Sequence, residues 1–78
     1  MRSNTRRRSR TTSLLAKIAA LGPRERDVLR LIGAGLASKE IARLLDVSPR
    51  TVSKHRENIM HKLSIHELAR LMKIGREL

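Results

Sequence analysis

Apolar residues recur at helical spacing along most of the chain, and no segment shows the polar–apolar alternation that is typical of a strand. The clearest helix is predicted over residues 49–63, because Ser48 is a favourable N-cap residue and Pro49 suits the first helical position. At about 100° per residue its apolar side chains form one narrow stripe, made of Val52, Ile59, Leu63 and, beside them, Met60. The opposite side is polar and rich in hydrogen-bond donors: Arg50, Ser53, Lys54, Glu57, Asn58 and His61.

An earlier helix is predicted to begin after Gly22, with Pro23 at its first position. Gly22 is an acceptable N-cap but has no side chain with which to complete a capping box. We expect this helix to end near Ala34, with Gly35 in the left-handed conformation and Leu36 folded back as a hydrophobic contact. Its buried side is predicted to consist of Val28, Leu29, Leu31 and Ile32.

The next helix is predicted over residues 39–45, with Ser38 as its N-cap. Residues 46–48 then form a three-residue turn, in which Val47 is expected to pack between the flanking helices. Two helices joined by so tight a turn predict a helix-turn-helix. The inner residues of the first of them are expected to be Ile41, Ala42, Leu44 and Leu45.

A last helix is predicted over residues 65–74, because Ser64 and Glu67 have the spacing of a capping box. Gly75 is expected to end it. The apolar residues that it offers for burial are Leu68, Leu71 and Met72.

The N-terminal part of the chain divides into two short segments ahead of a domain at residues 21–78. Residues 13–20 are a short helix or a linker, with Ser13 as a helix cap in the first case. Residues 1–12 contain no apolar residue except Met1, and we expect a disordered basic arm. Three roles stay open for this arm: a DNA phosphate or minor-groove contact, a solubilising tail, or a targeting segment. Its basic residues are Arg2, Arg6, Arg7, Arg8 and Arg10.

The formal net charge of +11 favours a polyanionic partner. Residues 1–20 hold six basic and no acidic residues, and residues 21–78 hold twelve basic and seven acidic ones. Because the chain has no Phe, Tyr or Trp, it lacks the rings on which single-stranded nucleic acids stack. Duplex DNA is therefore the preferred partner.

Other classes of protein fit the composition less well. The chain has no Cys, and its histidines lack companions at ligand spacing, so we expect no metal. No apolar run approaches the roughly 20 residues that a membrane span needs. No nucleophile–base pair or phosphate-binding glycine loop occurs, so we expect neither an enzyme nor a cofactor. A cytoplasmic, nucleoid-associated protein is predicted.

Four blocks of sequence, in order, carry a family resemblance: LGPRERDVLRLI at 21–32, GLASKEIA at 35–42, VSPRTVSKHR at 47–56 and NIMHKL at 58–63. With these blocks, residues 21 to 74 resemble the LuxR/FixJ/NarL-type DNA-binding domain of bacterial transcription regulators. The resemblance implies an all-α, four-helix domain that binds duplex DNA through its third helix, and a homodimer formed through its last helix.

The resemblance also implies roles for individual residues. The family's base-reading positions correspond to Ser53, Lys54 and Glu57. Its phosphate contacts correspond to Lys39, Ser48, Arg50, Thr51, His55 and Lys62. The dimer contact falls on Leu68, Leu71 and Met72. The helical wheel agrees with the three base-reading positions and puts Thr51, His55 and Lys62 on the flanks of the helix, where a groove presents its phosphates.

Some of these residues also have a purely structural interpretation. Glu40 is expected to stabilise the start of its helix. Arg56 is expected to lie along apolar surface. His55 stays open between a packed histidine and a phosphate donor.

Three positions depart from the family pattern. Gly22 replaces the usual hydroxyl cap, and the connection after Leu63 is shorter. Glu57 stands where many relatives have a basic or amide residue, so it either accepts a hydrogen bond from cytosine N4 or lowers affinity.

Two alternative functions stay open. One is a module like region 4 of sigma factors, and the other is a protein-interaction module that heterodimerises with a related regulator through the last helix. RNA polymerase is a further partner to be tested.

Overall fold

The computed structural model describes residues 14–78, and within them the chain is all-helical. The helices are α1 at 14–19, α2 at Pro23–Gly33, α3 at Ser38–Leu45, α4 at Pro49–Leu63 and α5 at Leu68–Glu77. The predicted all-α helix-turn-helix fold with an additional short N-terminal helix is confirmed. The predicted arm at 1–12 and the predicted cap Ser13 lie outside the described residues.

Helix α2 is the central element, because it packs against α3, α4 and, most extensively, α5. It begins at Pro23, and the Glu25 carboxylate accepts a hydrogen bond from the Gly22 N–H at 3.0 Å. Glu25 therefore occupies one of the backbone donors that a helix start leaves unpaired. The buried apolar core draws on every helix from α2 to α5 and consists of Leu21, Val28, Leu29, Ile32, Ile41, Ala42, Val52, Ile59, Leu63, Ile65 and Leu71.

Three helices end in the same kind of turn, in which a residue with positive φ precedes an apolar residue whose N–H bonds back to the helix. The pairs are Gly35–Leu36 after α2, Asp46–Val47 after α3 and Ser64–Ile65 after α4, with N–O distances of 3.1, 3.0 and 3.1 Å for the second residue of each. The apolar residue of each pair packs against the core. Each turn thus reverses the chain and inserts an apolar side chain in the same step, as predicted for the first of them.

The start and the inner face of α3 differ from the prediction. Ser38 is the first helical residue rather than the cap, because the backbone of Ala37 is extended and its N–H donates to the Glu40 carboxylate at 2.9 Å. Leu44, predicted to be an inner residue, is 64% exposed. On the helical wheel Leu45 falls between Ile41 and Ala42, whereas Leu44 lies outside that arc. Only the arc packs inward.

The last helix begins and ends later than predicted. Ser64 is not its cap: it follows α4 in the left-handed conformation, and its N–H bonds back to His61. Helix α5 begins at Leu68 and continues through Gly75 to Glu77. Gly75 therefore lies inside the helix and does not end it. Its lack of a side chain permits close packing, since a Cβ there would overlap the backbone of α2 at Leu29.

Smaller differences occur at α1 and α2. Helix α1 ends at residue 19, within the predicted segment 13–20, and Leu21 beyond it is buried in the core. Leu31, predicted to be buried, is only partly so.

Candidate nucleic-acid interface

Helix α4 starts sharply at its N-cap. The Ser48 hydroxyl accepts a hydrogen bond from the Thr51 N–H at 3.1 Å, and the hydroxyls of Ser48 and Thr51 are 2.9 Å apart. Pro49 occupies the first helical position, as predicted. Because the cap satisfies backbone donors and Pro49 presets the backbone, the first turn of α4 is held in place without help from a ligand.

One side of α4 is buried and the opposite side is exposed to solvent. Val52 and Ile59 are fully buried and Leu63 is 2% exposed, so the spine of the helix is fixed in the core. The three residues predicted to read bases, Ser53, Lys54 and Glu57, are all exposed. Their spacing places them on adjacent turns of one face. The structure thus presents a hydroxyl, an ammonium and a carboxylate on a helix whose own position is set by packing.

The residues predicted to contact phosphates are distributed around this face. Lys39 is exposed in the first turn of α3, and Ser48 and Arg50 are exposed at the start of α4. Thr51 and His55 are partly buried. The starts of α3 and α4 therefore both present polar groups to solvent.

His55 has one nitrogen on the protein side. Its Nδ1 is buried and has no hydrogen-bond partner within residues 14–78. The partial burial of the ring fits a histidine packed at the edge of the core, and its contact with phosphate stays a prediction.

Lys62, also predicted to contact phosphate, has an internal partner. Its Nζ lies 2.8 Å from Oε1 of Glu25, and the side chain of Lys62 is 41% exposed. Glu25 is the buried charged residue of the core, at 8% exposure. The sequence alone does not reveal this pair, because 37 residues separate its members and the one local signal is an acidic residue in the first turn of α2.

The environment of Glu25 favours its charged form. Burial raises the pKa of the Glu25 carboxyl, but the hydrogen bonds from Lys62 and Gly22 and the positive charges of Lys62 and His55 outweigh that effect. The pKa of Glu25 therefore lies below its ordinary value. The carboxylate stays ionised at neutral pH and holds the Lys62 ammonium beside it.

Two further polar contacts lie in the helix-turn-helix, one between its helices and one at the start of α3. Arg56 is partly buried and donates from its guanidinium to the Ser38 hydroxyl at 3.3 Å, which joins α4 to the start of α3. Glu40 accepts from the Ala37 N–H, so its carboxylate is engaged at the helix start, as predicted. Arg56 lies against the core edge and not on the outer face of α4, in keeping with its structural interpretation.

The residues predicted to form a dimer contact do not share one surface. Leu68 is 49% exposed and Met72 is partly buried, but Leu71 is fully buried. Leu71 belongs to the core between α5 and α2 and does not reach a partner, which corrects its assignment. A contact through α5 would use Leu68 and Met72.

Several predictions concern residues or features beyond this surface. The basic residues of the arm, Arg2, Arg6, Arg7, Arg8 and Arg10, lie outside the described residues. Within residues 14–78 no group of His, Asp or Glu is arranged to hold a metal ion. None of the described helices has the length and hydropathy that crossing a bilayer requires.

Comparisons with known proteins agree with this geometry. The sequence profile described as "Bacterial regulatory proteins, luxR family" matches residues 19–74. The chain is 43% identical over 62 residues to the transcriptional regulatory protein FixJ of Bradyrhizobium diazoefficiens, a match that covers 80% of this chain and 30% of that protein. It is 46% identical over 60 residues to FixJ of Rhizobium meliloti, covering 77% of this chain and 29% of the relative.

A solved structure is similar over nearly the whole chain. The response regulator StyR matches with a TM-score of 0.80 and 38% identity, over 96% of this chain and 39% of StyR. The chain thus spans about a third of the length of each of these three proteins. The similarity is to one part of longer regulators.

Proposed function

The chain belongs to the luxR family of bacterial regulatory proteins, and from this premise we propose that it is a transcription regulator that binds duplex DNA sequence-specifically through α4. The observation that carries the proposal is the division of α4 into a buried spine and an exposed polar face. A helix about 10–12 Å across fits the major groove of B-DNA. The exposed residues Ser53, Lys54 and Glu57 would then meet base edges.

Lys54 is the residue with the strongest claim to sequence choice. Its ammonium is exposed on the outer face, and lysine donors match the guanine acceptors O6 and N7 in the major groove. Ser53 adds a hydroxyl that both donates and accepts. The Glu57 carboxylate repels phosphate but accepts from cytosine N4, so its contribution is specificity rather than affinity.

The residues at the edges of the motif supply the sequence-independent part of binding. Lys39 at the start of α3 and Arg50 at the start of α4 are exposed cations of the helix-turn-helix. Ser48, Thr51 and His55 would add hydrogen bonds to phosphate oxygens. These contacts fix the position of the protein on the duplex.

Binding as a homodimer on paired half-sites belongs to the same proposal. Leu68 and Met72 on α5 are the apolar groups available for the contact. Sedimentation of the chain with its selected DNA gives the stoichiometry, and a Leu68→Glu substitution should reduce two chains per site to one. Retention of RNA polymerase on the immobilised chain tests the further partner.

The test is an in-vitro selection of duplex DNA followed by affinity measurements on the selected site and on random DNA. Lys54→Ala should weaken the selected site by about 1–3 kcal/mol and relax the choice of base at one position. Lys39→Ala, its control, should weaken both DNAs alike and flatten the salt dependence by roughly one counterion. If both variants lose equal affinity on the two DNAs, α4 is not the reading helix.

A further inference from the structure

The Glu25 carboxylate joins α2 to the C-terminal half of α4. Its Oε1 atom accepts a hydrogen bond from the Gly22 N–H at 3.0 Å and another from the Lys62 ammonium at 2.8 Å. Glu25 is 8% exposed, so its carboxylate is largely removed from solvent, whereas the Lys62 side chain is 41% exposed. The Glu25–Lys62 pair is the only ion pair between helices among residues 14–78, since the other ion pair, Arg24–Asp27, lies within α2.

A DNA phosphate would compete with the Glu25 carboxylate for the Lys62 ammonium. If its ammonium turned to a phosphate, the Glu25 carboxylate would stay buried beside the Gly22 N–H without its counter-charge, which is unfavourable. The carboxylate would also face the negative potential of the DNA. The ammonium has three donors and is partly exposed, but its charge is balanced within the domain. A lysine that neutralises a carboxylate of its own domain does not neutralise a phosphate, and it therefore releases no counterion from DNA.

We propose that Glu25 is a positioning residue for DNA binding, and that Lys62 is its internal counter-charge rather than a phosphate contact. The pair fixes the C-terminal half of α4 against α2, while the N-cap at Ser48 and the bond from Arg56 to Ser38 fix the other half. The exposed face of α4 is then presented to the groove at one angle. This inference rests on the proposed function, and it removes Lys62 from the set of DNA-contacting cations.

Salt dependence separates the two roles of Lys62, because each phosphate contact steepens the dependence of log affinity on log salt by about 0.9. Between 50 and 200 mM salt, one contact corresponds to about a threefold change in affinity. Lys62→Met should leave the salt dependence of binding to random DNA unchanged. Lys39→Met, the matched control on α3, should flatten it by about one contact.

Glu25→Gln tests the pair from the other side. The amide keeps an oxygen for the Gly22 N–H but removes the charge that holds Lys62. The freed ammonium should steepen the salt dependence by about one contact, and discrimination between selected and random DNA should fall because α4 is held less firmly. The double variant Glu25→Gln/Lys62→Met should return the salt dependence to that of the unsubstituted chain.

A role in folding alone would not produce this pattern. Lys62→Arg keeps the ion pair and should retain both the salt dependence and the discrimination. If Lys62→Met unfolds because Glu25 is left unpaired, circular dichroism will show it, and the double variant, which removes both charges, keeps the comparison with Lys39→Met intact.

The outcomes distinguish this inference from the proposed function. If Lys62→Met flattens the salt dependence as Lys39→Met does, Lys62 contacts phosphate and the inference is wrong while the proposed function stands. The same holds if Glu25→Gln leaves the slope unaltered. If the unsubstituted chain shows no preference for any selected duplex, the proposed function fails and this inference fails with it.

Discussion

The pairing of α2 with α5 and the pairing of α3 with α4 use opposite packing chemistry. In the first, the two backbones touch: a Cβ on Gly33 would overlap the backbone of α5, and a Cβ on Gly75 would overlap that of α2. Leu29 on α2 and Leu71 on α5 are both fully buried. None of the candidate base-reading or phosphate-contacting residues is on these two helices.

The second pair meets through side chains and leaves its outer surface open. Ile41, Ala42 and Val52 pack inward, and Arg56 bonds across to Ser38. The candidate base-reading residues Ser53, Lys54 and Glu57 and the exposed Leu44 lie on the outside. The α2–α5 pair therefore depends on close backbone approach and should tolerate few substitutions. The α3–α4 pair has an exposed outer surface, where substitutions should have little effect on stability.

The largest expected effect of a point substitution is therefore on the first pair. Leu71→Ala should destabilise the domain by about 2–5 kcal/mol, because it leaves a cavity between α5 and α2. Leu44→Ala, on α3 and 64% exposed, should change stability by no more than about 0.5 kcal/mol. Urea denaturation followed by circular dichroism gives both values. Similar losses for the two variants would show that the two pairs are not built differently.

A smaller effect of the same origin is expected at Gly75. In an open helical position, replacing Gly with Ala stabilises a helix by about 1 kcal/mol. Here the new Cβ meets the backbone of Leu29, so Gly75→Ala should instead destabilise by about 1–3 kcal/mol. Ala69→Gly, at an exposed position of α5, measures the propensity effect alone and should cost about 1 kcal/mol. A stabilised Gly75→Ala would mean that α2 and α5 do not approach this closely.

The last helix shows where local sequence signals stop being sufficient. Pro23, Pro49 and Gly35 mark boundaries that depend on one residue and its own backbone, and these were predicted correctly. Ser64 has the chemistry of a cap, but the burial of Ile65 at 4% exposure draws the chain into a left-handed turn instead. Gly75 has the chemistry of a helix end, and only the position of α2 shows that it serves close packing.

The candidate site divides in the same way. The exposed positions of Ser53, Lys54 and Glu57 follow from the helical period of α4, which the sequence displays directly. The partner of Lys62 does not follow from periodicity, because Glu25 lies 37 residues away in the sequence and approaches Lys62 only through the way α2 crosses α4. Periodicity predicts which side of a helix faces out, and tertiary packing decides which exposed charge is already in use.

The smallest expected effect concerns the Glu25–Lys62 contact, which links the two pairs of helices, and it is measured as the dependence of stability on pH. Since the pKa of Glu25 is below 4.5 in the folded chain, its ionised form stabilises the fold fully above about pH 4.5, and this contribution is lost as pH falls through the lower folded-state pKa. Stability of the unsubstituted chain should therefore fall further on acidification than that of Glu25→Gln, so that the two converge at low pH.

Denaturation midpoints at a series of pH values from 7 to about 3 measure this convergence. Glu57→Gln removes one negative charge from the exposed face of α4, where Glu57 has no ion pair within the described part of the chain, and serves as the control. Parallel loss of stability in the unsubstituted chain and in Glu25→Gln would mean that Glu25 does not hold α2 and α4 together. If Glu25→Gln converges with the unsubstituted chain at low pH and Glu57→Gln does not, this carboxylate is the link between the α2–α5 pair and the α3–α4 pair.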